Sequence, residues 1–293
     1  MFLGGKMSNE QKVIKNVIKS YSENIGFIVY TAKELERLYQ ALGIDPKSTH
    51  RSIFDLESMS HHLQSEVIKL IKMMNIVQND LVLDAGCGNG APTRLIAKIC
   101  GCKIIGFDIN PNQIKKAIDC DQFEGVDHLI ERQVKDVHKL DFQEERVDKI
   151  FHNETMGHWM DKKTALAGLF KVLKKGGIMG FHDWLRGDKG DLNEAGGNFP
   201  GTYAEKVFFQ HTLNETMQLL EEAGFHVLYS EDTTDIVDRG LRAKLREVEI
   251  SKVYYIKSGF EEYFHKSTHY CQVMIETHYD YLKYGRFLCI KNK

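Results

Sequence analysis

The chain has 293 residues, 39 basic against 41 acidic, for a formal net charge of −2, with 42% hydrophobic and 27% charged side chains. That balance leaves no basic footprint for a nucleic-acid partner, and no run approaches the roughly 18 apolar residues of a membrane span. The opening MFLGGKMSNEQ is too short and too polar for a secretory signal, and there is ample apolar material for a core.

Residues 1–78 read as a helical N-terminal segment. EQKVIKNVIKSY and LQSEVIKLIKMM both place apolar residues on one helix face, and LYQALGIDPKSTHRSIFDLE between them carries loop chemistry at Asp45-Pro46. From residue 79 the texture changes. Short apolar runs appear at LVLDA (81–85), KIIGFD (103–108), HLIERQV (128–134), VDKIFH (147–152), GIMGFHD (177–183), FHVLYSE (225–231) and GRFLCIK (285–291). Helical patterns such as APTRLIAKI, PNQIKKAI, KTALAGLFKVLKK and LNETMQLLEEAG fall between most of them. This alternation predicts an α/β domain over 79–293 with a doubly wound, largely parallel sheet.

Two stretches exceed a minimal unit. Residues 184–212 are polar and glycine-rich, and residues 232–283 are helical and rich in Tyr, Phe and His. Long insertions in compact domains are often lids, and these are expected to cap a cleft. The aromatics Tyr254, Tyr255, Tyr263 and Phe264 suit plain core equally well. The six cysteines form no CxxC pair and read as reduced thiols of a cytoplasmic protein.

The most informative segment is LVLDAGCGNGAPTRLIAKI. An apolar strand runs into Asp84, then Gly86, Gly88 and Gly90, then a helix near Pro92. Strand, glycine loop and helix let a backbone approach a nucleotide-like ligand beyond the strand ends. The spacing is G-x-G-x-G, not the dinucleotide pattern, and a carboxylate at Asp84 would repel a pyrophosphate. It suits a cationic ligand such as S-adenosylmethionine, which carries an ammonium and a sulfonium and no phosphate.

VLDAGCGNG resembles the first motif of class I S-adenosylmethionine-dependent methyltransferases, and the similarity runs over roughly residues 75–291. The resemblance implies a Rossmann-like sheet of seven strands with the last antiparallel, and S-adenosylmethionine as cofactor. IIGFDIN resembles the second strand, ending on Asp108, whose carboxylate would accept the ribose hydroxyls, with Ile109 beside it. Asp136 matches the acidic position near the adenine amino group, with Val137 next to it. LKKGG is similar to the turn before the fifth strand. Asn153 joins Asp84 and the three loop glycines in the implied cofactor set.

FHNETMGHWMD (151–161) follows the fourth strand and resembles the E-x-x-x-H-x-x-D region of small-molecule methyltransferases, a group that includes tocopherol, sarcosine/dimethylglycine, sterol and prenyl-diphosphate enzymes. Glu154, His158 and Asp161 fall on those positions, and Glu154 and His158 are the expected catalytic pair. LYQALGIDPKSTHRSIFD is similar to the same group's substrate segment, except that Ser52 stands where that group has glycine. It nominates Tyr39 and His50. Trp159, His182, Trp184 and Arg242 complete the expected substrate set. Arg242 belongs to a basic cluster with Arg239, Lys244 and Arg246 that suits a phosphate headgroup or, interleaved with Glu247 and Glu249, a solvated helix face. His152, His158 and His182 near strand ends read as hydrogen-bonding groups, without the ligand spacing of a metal site.

The implied function is methyl transfer to a small-molecule acceptor. Asn-Glu-Thr at 153–155 resembles the prenyl-diphosphate enzymes and points to C-methylation through a carbocation. N- or O-methylation of a small amine, phenol or alcohol is the alternative. An NAD-dependent oxidoreductase and a non-catalytic cofactor-binding partner are the rivals from other classes. A homo-oligomer is compatible with the sequence.

Overall fold

The computed structural model describes residues 7–22, 30–47, 55, 60–195, 207–257, 259–277 and 279–292. The N-terminal segment holds α1 (Asn9–Ser22), α2 (Ala32–Leu42) and α3 (Gln64–Met74). Helix α2 starts on a reciprocal cap between Thr31 and Glu34 and stops at Gly43, which takes the left-handed conformation. The α/β domain then alternates β1 (Leu81–Ala85), α4 (Ala91–Cys100), β2 (Lys103–Asp108), α5 (Pro111–Glu124), β3 (Ile130–Val134), β4 (Val147–Asn153), α6 (Lys162–Val172) and β5 (Leu173–Arg186). It closes with α7 (Leu213–Glu222), β6 (Phe225–Asp232), α8 (Thr234–Ile250), α9 (Lys252–Lys257), α10 (Glu261–Thr277) and β7 (Leu282–Lys291).

The sheet order is β3-β2-β1-β4-β5-β7-β6. Strands β1 to β5 pair in parallel, and β7 runs antiparallel to both β5 and β6. Successive side chains of a strand face opposite ways, so β1 serves two cores. Leu83 joins Ile105, Ile150, Met179 and the residues of α6 on one face. Val82 joins Ile104, Phe151, α4 and Val67, Leu70, Ile71 and Met74 of α3 on the other. Both faces are covered, which is why the central strands are near-continuous apolar runs. The strand order reverses between β1 and β4. In such sheets that point opens a crevice at the carboxyl ends.

Two sequence expectations are corrected. The LKKGG turn lies inside β5: pairing jumps from Val147 with Leu173 to Lys149 with Ile178, and Gly176 sits at φ 75° in the bulge. The insertions are also shorter than expected, because Trp184–Arg186 continue β5 and pair with Tyr284–Leu282 of β7. The cap and the N-terminal segment share one core. Leu35, Leu38 and Tyr39 of α2 pack with Tyr255 of α9 and Phe260 and Phe264 at the start of α10. Among the described residues no helix is long and apolar enough to cross a membrane, and all six cysteines are free.

Candidate active site

The cleft opens where the carboxyl ends of β1, β2 and β4 meet, and α1 closes it from above. About 1260 Å³ of empty space, open to solvent at the mouth, lies between these elements.

One half is built from backbone. At Gly86 an added Cβ would sit 2.7 Å from Thr155 Cγ2, and at Gly90, φ 83°, it would run into the Arg132 guanidinium. The loop is therefore pinned as glycine by close approach as well as by its left-handed turns. Gly86 and Cys87 donate their amides to the Phe107 carbonyl, tying the loop to β2. Asp108 ends β2 and accepts the amides of Gly88 at 2.9 Å and Asn110 at 2.8 Å, one on each oxygen. A carboxylate oxygen has a further lone pair, so each can still accept a hydroxyl. Burial raises the Asp108 carboxyl, and the amides of Asn110 and Gly88 work against that rise.

Asp84 is buried beneath the loop and receives the Thr93 hydroxyl at 2.5 Å. Burial pushes its carboxyl up to about 6, with Thr93 and Arg132 holding it from going higher. Asp136, beyond β3, takes the amide and Nδ1 of His138 at 3.0 and 2.7 Å. Burial alone would raise it, but those bonds and Lys139 hold it below the usual carboxylate value.

The other half is built from side chains, around Glu154. This residue takes a left-handed φ of 58°, uncommon outside glycine. Its Oε1 accepts the Ser60 hydroxyl at 3.0 Å, the His62 amide at 3.1 Å and His62 Nδ1 at 2.8 Å. Its Oε2 accepts the His61 amide at 3.0 Å and the Trp184 indole at 2.9 Å. Burial would raise the carboxyl, but His61, His62 and these donors drive it down to about 2. It is a permanent anion at the cleft wall. Further contacts fix its donors: His61 Nδ1 meets the Tyr284 hydroxyl at 2.7 Å and its Nε2 meets Tyr270, its ring stacks on Trp184, and His62 Nε2 meets Thr233 at 3.0 Å.

His158 faces the same space. Its Nδ1 lies 3.0 Å from the Val207 carbonyl, which can only accept, so the proton is on Nδ1. Nε2 then accepts the Tyr21 hydroxyl at 2.7 Å. Burial pushes the imidazole down to about 4 and the Tyr21 phenol well up. The pair is neutral at physiological pH.

A Methyltransferase domain family model matches residues 83–181. The sterol 24-C-methyltransferases of Candida albicans and Saccharomyces cerevisiae are 31% identical over 180 residues and 33% identical over 171. Those matches cover 58% and 55% of this chain and 46% and 43% of the relatives, so the chain spans about half the length of the curated relatives it matches. Among solved structures, phosphoethanolamine N-methyltransferase 2 of Haemonchus contortus, in complex with S-adenosyl-L-methionine, matches at TM-score 0.74 and 14% identity, covering 93% of this chain and 60% of that one. Geranyl diphosphate C-methyltransferase of Streptomyces coelicolor matches at TM-score 0.68 and 14% identity, covering 97% and 100%. The matches support a class I S-adenosylmethionine-dependent methyltransferase, with residues 83–181 as the part that matches the family.

The residues of the cleft fit S-adenosylmethionine. The loop is too tight for a side chain, Asp84 offers a carboxylate to an ammonium, and Asp108 keeps lone pairs for a diol. The structure brings Asp84, Gly86, Gly88, Asp108, Ile109, Asp136, Val137, Asn153, Glu154, His158, Trp159 and Trp184 together on the cleft wall. Gly90 stands just behind them as the cap of α4.

Other expected residues do not reach the cleft. Tyr39 is a core residue of α2, its ring 5.8 Å from Phe123, because it continues the apolar face of Leu35 and Leu38. His182 is buried behind the wall, where it takes Arg286 Nε at 3.0 Å and stacks on His62. Arg242 lies on the exposed face of α8, paired with Asp238 one turn earlier at 2.8 Å. Asp161 caps α6 through the Thr164 amide at 3.1 Å instead of facing the cleft. His50 lies outside the described residues. Among the described residues no group of three or more His, Cys, Asp or Glu is arranged to hold a metal ion.

Tyr21, Ser60, His61 and His62 were missed. Tyr21 ends the apolar stripe Val13, Ile14 and Val17, all of which line the methyltransferase cleft. That stripe was legible as one face of α1. What it covers was not.

Proposed function

We propose that this methyltransferase transfers a methyl group to the alkene carbon of a neutral isoprenoid-type acceptor, such as a sterol side chain. The observation that carries the reading is Glu154, a buried anion saturated with donors and flanked by Trp184, Trp159 and Tyr21. Such a group is a poor base and a good counter-charge.

The cofactor supplies an activated methyl on sulfonium sulfur. The chain has to align the acceptor and stabilise the positive charge that appears on the carbon next to the one methylated. A fixed carboxylate and aromatic faces do that in a water-poor cleft. The cation then loses a proton to give a methylated alkene. A carbocation is so strong an acid that even the lowered His158 can accept that proton at Nε2 once Tyr21 turns its hydroxyl away.

The same features speak against the alternatives. An amine next to Glu154 would be held as its unreactive ammonium form. An alcohol or phenol needs a poised base, ideally near the working pH, and Glu154 and His158 lie at about 2 and 4. A diphosphate at the acceptor end would meet the Glu154 charge. The names of the sterol and geranyl diphosphate relatives both involve transfer to carbon, which supports the class of reaction. The free cysteines suit a reducing cytoplasm, the compartment we propose.

The test is methyl transfer from labelled S-adenosylmethionine into separate pools of sterols and other neutral isoprenoid alkenes, prenyl diphosphates, small amines, and phenols. Label confined to the neutral alkenes is expected. Label in the prenyl diphosphates would keep the carbocation and discard the neutral acceptor, and label in amines or phenols would overturn the proposal.

A further inference from the structure

The cofactor half of the cleft rests on a buried chain of groups. Arg132 stands on β3 opposite Gly106 of β2. Its guanidinium crosses at that glycine, where an added Cβ would lie only 2.5 Å from Nη1. A strand glycine with another group pressed against it marks a close approach that has to be kept open. Beyond it Nη1 donates to Thr93 Oγ1 at 2.9 Å, and Thr93 donates its own proton to Asp84 Oδ2 at 2.5 Å. Nε and Nη2 grip both oxygens of Asp121 at 2.8 and 2.9 Å, a fork only arginine can make. Arg94 flanks the fork, binding Glu124 at 2.7 Å and the Asn89 carbonyl of the glycine loop at 2.7 Å. Asp121, Thr93 and the Arg132 side chain are all buried.

We propose that Arg132 is a positioning residue for cofactor binding, acting through Thr93 to aim the Asp84 carboxylate at the cofactor's ammonium and to balance its charge. Thr93 has one proton, and the Arg132 donor occupies a lone pair of its oxygen, so that proton is directed at Asp84. The fork on Asp121 stops the guanidinium from swinging away. Gly106 leaves the path by which the guanidinium reaches Thr93 beneath the cofactor loop.

The groups facing Asp84 are Thr93 of α4, Arg132 of β3, Asp108 of β2, Asp121 of α5 and Cys87 of the loop. The two other carboxylates raise Asp84, and Arg132 is the cation that opposes them. Without its charge or the Thr93 bond, Asp84 becomes protonated at a higher pH and loses its attraction for an ammonium. The defect should be repaired by base.

Binding of S-adenosylhomocysteine, which keeps the ammonium, would be measured by calorimetry from pH 5.5 to 8 for the wild type, Thr93→Val and Arg132→Met, with thermal melts to check folding. Wild-type affinity should fall below about pH 6, where Asp84 titrates. In Thr93→Val the fall should begin about one pH unit higher, so that affinity at pH 6.5 drops about threefold and recovers by pH 8. Arg132→Met should move it further, and Thr93→Val stands alone if that variant does not fold. A loss equal at every pH, or no loss, would overturn the proposal. A wild-type protein that binds no S-adenosylhomocysteine at any pH would instead defeat the cofactor assignment of the cleft.

Discussion

The two halves of the cleft are made differently. The cofactor half uses loop amides, glycines and one carboxylate per strand end, each supplied by a single βα unit. The acceptor half uses Glu154 plus donors from residues 60–62 and Trp184, buttressed by Tyr270 of α10 and Tyr284 of β7. The first half follows from the sheet and its loops. The second exists only when the N-terminal segment and the cap are both docked. Substitutions should therefore separate cleanly: cofactor binding should depend on the first set and turnover on the second.

The largest effect is expected at Glu154. With Glu154→Gln the amide oxygen can still take the His61 and His62 amides, while the Trp184 indole loses its acceptor and the negative charge is lost. Turnover on the alkene acceptor should fall about 10³-fold, in line with removing one preorganised electrostatic contact, while S-adenosylhomocysteine binding stays within a few-fold of wild type. An equal loss of both would merge the two halves and refute the division. Acid unfolding gives a second readout. The folded carboxyl is lowered from 4.5 to about 2, so the unfolded state binds more protons in that window. The stability it supplies is complete above 4.5 and is lost as pH falls towards 2. Glu154→Gln should flatten that part of the curve.

Next is Asp108→Ala. It removes the acceptor of two loop amides and of the proposed ribose contacts. Losing charge-assisted bonds of about 1.5–3 kcal/mol each should weaken cofactor binding by about a hundredfold or more. Turnover at saturating cofactor should change far less. Calorimetry with S-adenosylhomocysteine and saturation kinetics check the two parts.

This contrast also explains what the sequence made legible. Asp84 and Asp108 end apolar runs and Asp136 lies just beyond β3, and parallel pairing brings successive strand ends to one edge. Chain spacing is enough to place them. The donors of Glu154 stand 92 to 94 residues away at Ser60–His62 and 30 away at Trp184, and no periodicity reports such a distance. His61 and His62 sit just before α3 like ordinary loop residues. Tyr39 had a readable signal, since it falls on the apolar face of α2 with Leu35 and Leu38, and the family likeness overrode it. The LKKGG bulge was read as a turn because its glycines look alike in both settings; only the pairing of β4 with β5 tells them apart.

A smaller effect is expected at Tyr21, where α1 meets the acceptor half. Tyr21→Phe removes the hydroxyl on His158 Nε2 and leaves the ring that covers the cleft. A lost neutral hydrogen bond of about 1 kcal/mol corresponds to roughly fivefold in turnover. If His158 takes the final proton, losing the hydroxyl donor should let the imidazole protonate at a higher pH, so turnover should fall more at acid pH than at neutral pH. A flat pH profile would assign the pair to packing of α1 alone.

Arg242→Ala should do nothing to either half. Its guanidinium is exposed and held by Asp238 one turn earlier on the same helix, and an exposed pair of this kind contributes little. Cofactor affinity and turnover on a neutral isoprenoid should stay within about twofold. The variant is still informative, because Arg242 belongs to the cluster that the sequence suggests for a phosphate headgroup. A selective loss of activity on prenyl diphosphates, with neutral acceptors untouched, would mean that α8 reaches the acceptor through its outer face. The line between the two halves would then have to be redrawn to include the cap surface. The expected silence would leave Glu154 as the charge that selects the acceptor, and an anion in that position favours a neutral one.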